Sequence, residues 1–320
     1  MKLSIIIVSW NVKRDLLRCL SALCKNPCSQ HSEQIVIDNN SSDGTVDAVR
    51  ERFPEVTVIA NAENVGFAAA NNQGMDRAQG QYVLLLNPDT VVHPLALDRL
   101  IAFLDANPDV GACGPKILNE DGSPQGSVRR FPTFRGVLYA HTVCRMLGLF
   151  RRWHRRWMMR DFTFDRQADV DQIMGAAMMV RRTVIDEVGG LDADFFMYFE
   201  EVDWCYRIKQ AGWRIVFVPD AVITHFGGRS SAQVPLKRVM MLTSLIAFFR
   251  KHRRPLPTFF FLLVFKFALV LRNICHLAIG LLSYLVAWIC PDRKRREAAA
   301  KKITLHALLL SRYLWRVLTM

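Results

Sequence analysis

The sequence lacks the loops by which many nucleotide-handling proteins are known. Its first β-branched run, Ile5-Ile6-Ile7-Val8, leads into Ser9-Trp10-Asn11-Val12-Lys13-Arg14 without a G-x-G-x-x-G. That removes the dinucleotide-binding fold, whose glycines let the backbone approach a pyrophosphate. A nucleotidyltransferase would want a glycine-rich loop at the same turn, and none is there. Cysteine occurs eight times but never as C-x-x-C. Cys24 and Cys28 face no second cluster, so the thiols read as buried or indifferent groups in a reducing compartment. The N-terminal apolar run is too short for a secretory h-region and has no small-residue cleavage site. It reads as a buried strand, which puts the catalytic part in the cytoplasm.

Acidic residues thin out along the chain. Residues 1–130 hold 12 Lys/Arg and 15 Asp/Glu, a net of −3, while the remainder holds 30 and 14, a net of +16. A nucleic-acid binder would set its basic residues around a recognition core. Here they lie among Trp, Phe, Met and Leu, a mixture suited to an anionic membrane surface, and no nucleic-acid partner is expected. At 320 residues the chain can form one large α/β domain with an appendage, or two small domains.

Strand and helix patterns alternate through the first part. Ile5 to Val8, Gln34 to Ile37, Val56 to Ile59 and Tyr82 to Leu86 read as strands. Val12 to Leu23, Thr45 to Phe53 (capped by Ser42 or Asp43) and Val65 to Ala78 read as helices. This is an α/β fold with a mainly parallel sheet, and ligands in such folds sit beyond the carboxyl ends of the strands. Three polar clusters fall there: Ser9-Trp10-Asn11, Asp38 with its Asn/Ser loop, and Asn87-Pro88-Asp89. Farther on, Val170 to Val180 is apolar with Gly175-Ala176-Ala177 inside it, small residues mid-strand that admit a ligand or another backbone. Glu200, Glu201 and Asp203 open a helix through Gln210. Arg214 to Val218 and Ala221 to Thr224 read as strands ending at His225.

These residue types suit transfer of a sugar from a nucleotide diphosphate. The departing diphosphate gains negative charge that a divalent cation can offset, and the acceptor hydroxyl must lose a proton to a base. Asp89 at a strand end, with Asn87 beside it and His225 as a distant ligand, could hold Mg²⁺ or Mn²⁺. Glu200, Glu201 and Asp203 are candidate bases, although acids at a helix start also complement the helix dipole. The N-P-D-T stretch could equally be an ordinary turn, and His225 a structural histidine.

In six strings the sequence resembles the family-2 inverting glycosyltransferases of GT-A fold, most closely their bacterial rhamnosyltransferase-like branch. The strings are SIIIVSWN (Ser4 to Asn11), VIDNNSSDGT (Val36 to Thr45), NAENVGFAAANNQG (Asn61 to Gly74), LLLNPDT (Leu84 to Thr90), FFMYFEEVDWCYR (Phe195 to Arg207) and THFGGRSS (Thr224 to Ser231). The resemblance implies that Ser9 and Trp10 meet the nucleotide base and that Asp38 contacts base or ribose. It implies that Asn64, Gly66 and Asn71 pack along the donor. Asn87-Pro88-Asp89 takes the D-x-D position with Asp89 as metal ligand, and Asn87 departs from the family's first Asp. Gly175 and Ala176 match small residues on the acceptor side. Glu200-Glu201 falls on the family's Glu-Asp pair, so Glu201 is the expected base, with a longer side chain than the usual Asp; Asp203 is the alternative. His225 matches a late histidine that can reach the metal or diphosphate. The implied reaction is one displacement with inversion at C1. Its expected donor is dTDP-rhamnose, and its expected acceptor a polyprenyl-diphosphate-linked saccharide in cell-wall or polysaccharide assembly. A UDP-hexose donor is the enzymatic alternative. A catalytically degenerate membrane scaffold is the other, suggested by Asn87 and Glu201.

The boundaries expected are a GT-A domain over 1–232, with a basic aromatic insertion at about 141–161, and a helical, membrane-associating region over 233–320. Arg145 to Arg160 reads as a surface-lying membrane helix with Trp153 and Trp157 at i, i+4; an acceptor-diphosphate clamp and a solvated flank are the rivals. Leu256 to Cys290 is apolar, broken by Lys266 and Arg272, and flanked at both ends by basic clusters. Positive charge at both ends disfavours a single span. A re-entrant hairpin or interfacial helices at the cytoplasmic face of the inner membrane fit better, with a buried subdomain as the alternative. Ile303 to Leu318 would continue the surface helix.

Overall fold

The computed structural model describes residues 1–227, 237–289 and 293–308. Gly228 to Ser231 of the THFGGRSS string, Cys290 and the end of the Ile303–Leu318 stretch lie outside these. The chain forms two compact units: Met1–Phe131 with Met158–Pro235, and Pro132–Trp157 with Leu236–Met320.

The first unit is built on a nine-stranded mixed sheet. Strands β1 (Leu3–Ser9), β2 (Ser32–Asp38), β3 (Thr57–Ala60) and β4 (Tyr82–Leu86) form its parallel part in the order β3-β2-β1-β4. Helices α1 (Lys13–Lys25), α2 (Thr45–Arg52) and α3 (Phe67–Arg77) connect them. The sheet continues through β10 (Ala177–Arg181), antiparallel to both β4 and β6 (Val110–Leu118). It ends with β11 (Arg214–His225), parallel to β6, and the short β5 (Thr90–Val92), antiparallel to β11. β8 (Ala168–Asp169) pairs with β11, and β7 (Val128–Arg129) with β9 (Gln172–Ile173). Ile5 and Ile7 belong to one core layer with Leu16 and Leu20 of α1; Ile6 and Val8 belong to the other with Ala68 and Ala70 of α3. Alternate side chains of a strand point to opposite faces, so a strand covered on both faces must be apolar throughout. Fully burying each such side chain is worth about 1.5–3 kcal/mol. Helices α4 (Ala96–Ala106), α7 (Arg182–Val188) and α8 (Glu200–Gln210) complete this unit.

Two sequence expectations change here. Gly175 and Ala176 are not mid-strand; they form a turn after β9, and only Ala177 enters β10. The two strand-like runs before His225 are one strand, with a register shift between Val218 and Val222 that absorbs Pro219-Asp220-Ala221. A bulge of this kind lets one strand keep its pairing after extra residues.

The second unit is helical. It contains α5 (Phe134–His141), a 3-10 turn (Val143–Arg145), α6 (Arg151–Trp157), α9 (Lys237–His252), α10 (Pro255–Ile289) and α11 (Arg293–Leu308). Phe134 stacks on Phe261 with centroids 4.3 Å apart and lies 4.9 Å from Phe249. The basic aromatic stretch is therefore only partly helical. Trp157 is buried and Trp153 half-buried under the Arg135 guanidinium, while Arg151, Arg152, Arg155 and Arg156 are exposed. The tryptophans of the expected surface-lying helix thus pack inward, and the exposed large apolar residues of the stretch are Met146, Leu147, Leu149 and Phe150. Helix α10 is continuous over 35 residues, about 52 Å at 1.5 Å per residue. Thr258, Phe261, Leu262, Phe265, Ala268, Leu269 and Asn273 form its buried stripe, whereas Phe259, Phe260, Leu263, Val264 and Phe267 face outward.

Candidate active site

Strands β1, β2 and β4 deliver Ser9, Asp38 and the Asn87 turn to the same edge, where chain connections leave β1 in opposite directions. Crevices form at such switch points. Ser9 and Asp38 are register partners, both fully buried. Asp38 accepts from the Ser41 amide at 2.7 Å through Oδ2, while its Oδ1 and the Ser9 hydroxyl have no hydrogen-bond partner in the protein. A buried polar atom left without a partner costs about 1–3 kcal/mol, so the pair is suited to a ligand that supplies donors. Asn11 is used differently. Its backbone is left-handed at φ +51°, its amide donates to Ser41 Oγ at 2.8 Å, and its side-chain oxygen accepts from the Ser42 amide at 2.8 Å. It fastens the Asn/Ser loop. Trp10 is half-exposed beside it. In the same loop Asp43 accepts from the Thr45 amide at 3.2 Å and from its hydroxyl, but the N-cap of α2 is Gly44, left-handed at φ +73°, and not Ser42 or Asp43 as expected.

The string from Asn61 to Gly74 closes against the loop before α8. Asn64 Oδ1 accepts from the Gly66 amide at 3.0 Å, and the Phe67 amide donates to Phe196 O at 2.8 Å. Gly66 sits at φ +89°, and a Cβ there would lie 2.7 Å from Phe196 O; glycine is required twice over. Asn71 is buried and donates back to Phe67 O at 2.8 Å. Asn39, outside the predicted set, joins three segments: its amide donates to Ser9 O, its side chain donates to Gly66 O at 3.1 Å, and it accepts from Asn61 at 2.9 Å.

Asp89 and His225 meet although far apart in sequence. His225 Nε2 is 3.2 Å from Asp89 Oδ1 and 3.3 Å from Asn87 Nδ2; Asp89 and His225 are buried and Asn87 partly so. The opposite ring nitrogen determines what Nε2 can do. Gln125 Nε2 donates to Asn119 Oδ1 at 2.9 Å and toward the His225 carbonyl at 3.4 Å, and a carbonyl can only accept. That orients Gln125 Oε1 toward His225 Nδ1, at 2.7 Å. An amide oxygen accepts only, so Nδ1 carries the proton and Nε2 of the neutral ring presents a lone pair. A carboxylate oxygen and an imidazole lone pair 3.2 Å apart repel unless a proton or a cation lies between them. One carboxylate and one imidazole, completed by phosphate and water oxygens, is a donor set Mn²⁺ accepts readily and Mg²⁺ less so. Among the described residues no third His, Cys, Asp or Glu joins them. The residues present fit a divalent cation that also takes ligands from its substrate.

The acids of α8 separate into three environments. Asp203 is fully buried and paired with Arg207 Nε at 2.8 Å, and Arg207 also donates to Val188 O and Gly190 O at 2.6 Å each. It is tied into the packing of α7 and α8. Glu200 is buried; burial and then the neighbouring Glu201 push its carboxyl well above the usual range. Burial also raises Glu201, against the opposing pull of the Arg129 guanidinium. Glu201 alone lies against the Gly175 turn: a Cβ at Gly175 would be 3.6 Å from Glu201 Cβ. That turn reaches the Asn87, Asp89 and His225 cluster too, since the Asn87 amide donates to Ala176 O at 2.9 Å. Tyr198 and Phe199, directly before Glu200, are both left-handed at φ +70° and +71°. Such strain costs on the order of 1–3 kcal/mol per residue and gathers at functional sites.

The structure thus links Asn87, Asp89, His225, Ala176, Gly175 and Glu201 through one turn, and sets Ser9 and Asp38 at the adjoining strand ends. A cavity of about 640 Å³ lies beside the start of α1, lined by Lys13, Arg14, Arg18 and Arg52 among others; Asn11 is the one predicted residue on its wall. Sequence reading missed Gln125, Arg129 and Asn39. An Asn in the NN loop was a signal for the last; nothing local marked the other two.

Kinship with known proteins makes this chain a glycosyltransferase. The chain belongs to glycosyl transferase family 2, whose model matches residues 4–189. It is similar to the N-acetylglucosaminyl-diphospho-decaprenol L-rhamnosyltransferase of Mycobacterium tuberculosis, with 31% identity over 252 residues covering 73% of this chain and 78% of that one. It is also similar to rhamnosyltransferase WbbL of Escherichia coli, with 28% identity over 230 residues, 69% of this chain and 82% of that one. These relatives agree with the rhamnosyltransferase-like branch. Among solved structures it resembles the mannosyltransferase PcManGT of Pyrobaculum calidifontis in complex with GDP-Man and Mn²⁺ (TM-score 0.56, 19% identity, 97% of this chain and 86% of that one). It also resembles GalNAc-T7 with UDP, GalNAc and Mn²⁺ (TM-score 0.57, 18% identity, 78% and 48%). At these identities the two structures speak for the GT-A fold alone.

Proposed function

We propose that the chain is a metal-dependent, inverting rhamnosyltransferase that moves rhamnose from dTDP-rhamnose to a polyprenyl-diphosphate-linked saccharide. The observation that carries the reading is the single turn that touches both halves of the chemistry: Ala176 bonded to Asn87 beside the Asp89–His225 pair, and Gly175 against Glu201. The choice of sugar and acceptor draws on the two rhamnosyltransferase relatives.

In this reading Ser9 and Asp38 offer their unpartnered buried oxygens to the nucleoside. Asp89 and His225 hold Mg²⁺ or Mn²⁺, which when bound offsets the charge gained by the departing diphosphate. Glu201 takes the proton of the acceptor hydroxyl on a carboxylate oxygen. The hydroxyl oxygen bonds to C1 from the face opposite the diphosphate, and the C1–O bond breaks with its electron pair leaving on the nucleoside diphosphate. The raised carboxyl of Glu201 makes it a better proton acceptor once ionised, and Arg129 keeps the ionised form accessible. Glu200 and Asp203 support the loop and helix that present it. Gly175 leaves space beside the base for the acceptor. The second unit rests its exposed apolar face (Phe259, Leu263, Phe267 and Met146 to Phe150) in the cytoplasmic leaflet, with its cations at the headgroups.

The test is nucleoside-diphosphate release by detergent-purified protein with dTDP-, UDP- and GDP-sugars and a polyprenyl-diphosphate saccharide, with and without EDTA. Release from dTDP-rhamnose that is lost with EDTA and with Glu201→Gln is expected. Release from a UDP-hexose instead would move the donor assignment, and no release by folded protein from any donor would leave a scaffold.

A further inference from the structure

The second unit contains 22 Lys/Arg against two Asp/Glu, Asp292 and Glu297. Among the described cations most are exposed, but three lie around one histidine. Arg145 closes the 3-10 turn, Arg238 is in the first turn of α9, and Arg272 is midway along α10. The Arg272 guanidinium reaches over the end of α5, with Nη1 donating to Ala140 O and Nε to His276 Nε2, each at 3.4 Å. Arg238 and Arg272 are half-buried. Both act on His141, the last residue of α5; burial, then Arg238, Arg272, His154 and Arg145, push its imidazole down to about 3, so it stays neutral. Among the described residues none of Arg145, Arg238 and Arg272 has a carboxylate within ion-pair distance.

Holding three guanidinium groups within electrostatic reach of one another, two of them partly out of water and with no counter-charge among the described residues, is unfavourable on its own. An anion reverses the sign of that balance. Guanidinium groups match the oxygens of phosphate bidentately. The five residues following Arg145 include Met146, Leu147, Leu149 and Phe150, all exposed, and Leu271 and Ile274 beside Arg272 on α10 are exposed too. A bare phosphate has no use for that apolar rim, whereas a phosphate carried on a hydrocarbon chain does.

We propose that Arg145, Arg238 and Arg272 form a binding site for the phosphate of a lipid. The proposal rests on the reading that the second unit meets a membrane and adds a discrete site to it. The phosphate could belong to an anionic glycerophospholipid or to a polyprenyl diphosphate, and the two share the chemistry recognised.

The experiment is phenylglyoxal labelling of arginines in the full chain in neutral detergent, followed residue by residue by mass spectrometry. Short-chain phosphatidylglycerol, farnesyl diphosphate and inorganic phosphate are the added probes. Labelling of Arg238 and Arg272 should slow several-fold with the two lipids while the exposed Arg151 and Arg152 of α6 keep their rates. Protection at lower concentration by farnesyl diphosphate would identify a prenyl diphosphate as the ligand, and the reverse order a membrane headgroup. Equal slowing at all four arginines, or at none, would overturn the site. A charge-matched pair of variants separates this from the membrane reading. Arg238→Gln/Arg272→Gln should lose more flotation with phosphatidylglycerol vesicles than Arg151→Gln/Arg152→Gln. Equal losses would mean a diffuse field only, whereas wild-type protein that does not float would sink the membrane reading itself.

Discussion

Replacing Gln125 by leucine removes the acceptor that keeps the proton on His225 Nδ1, at 2.7 Å, while leaving Asp89 and His225 untouched. Without that acceptor the neutral ring can place its proton on Nε2 instead, where Asp89 Oδ1 at 3.2 Å would accept it. That tautomer has no lone pair to give a cation. Loss of an outer partner that orients a ligating histidine weakens metal affinity by about 10–100-fold, or roughly 1.4–2.7 kcal/mol at 1.36 kcal/mol per decade. The assay is a titration of Mn²⁺ followed by its electron paramagnetic resonance, in the presence of nucleoside diphosphate, on wild type and Gln125→Leu. Nitrogen-15 shifts of His225 report the tautomer in the same samples. Gln125→Glu, which keeps an acceptor facing Nδ1, should retain or tighten binding. Unchanged Mn²⁺ affinity in the leucine variant, or an Nε2-protonated ring in the wild type, would refute the reasoning.

The other expectations concern α8 and its surroundings. Glu200 titrates above its ordinary value near 4.5 because burial disfavours the anion. The folded state then binds more protons than the unfolded one, and stability falls as pH rises from about 4.5 toward the raised value. Glu200→Gln should therefore gain thermal midpoint over wild type progressively across that window and hold the gain above it; a pH-independent difference would contradict this. Asp203→Ala should cost about 3–5 kcal/mol in denaturant unfolding, because it strands the mostly buried Arg207. If Asp203 were the base instead, Asp203→Asn would abolish nucleoside-diphosphate release as fully as Glu201→Gln does. Gly66→Ala places a side chain at φ +89° and against Phe196 O, so midpoint and turnover should drop together, the strained backbone alone costing about 1–3 kcal/mol. A variant with wild-type turnover would show that the loop before Glu200 does not depend on this contact.

How much of this was legible in the sequence depended on the range of the interaction. Tyr82–Leu86 and Glu200–Gln210 match their expected bounds, because an apolar run closed by Asn-Pro-Asp and an acidic helix start are local signals. Gly175 and Ala176 were read as mid-strand because apolar residues surround them on both sides. Their turn arises from pairing of β9 with β7 and of β10 with β4, which no local window contains. The arginines around Trp153 and Trp157 suggest a surface-lying helix. A spacing of four puts two side chains on one face of a helix without saying which face is covered, and Gly136 opens a place for Trp157 under α5.

The metal-side cluster shows the same limit at its sharpest, and explains the asparagine that departs from D-x-D. Asp89 and His225 are separated by most of the sheet in sequence and meet because β11 pairs with β5 so that His225 faces Thr90. Gln125 reaches His225 only after the chain returns beside β6, where its amide donates to Ile117 O at 2.8 Å. Once the proton is held on Nδ1, the residue at position 87 has a lone pair opposite it at 3.3 Å. A second carboxylate there would add a like charge beside Asp89 and have no hydrogen to offer Nε2, whereas the Asn87 amide donates one. Asn87 is thus matched to the histidine tautomer that Gln125 selects. The substitution then has a local structural reason, and the competition of Asn87 with a bound cation for Nε2 would lower metal affinity.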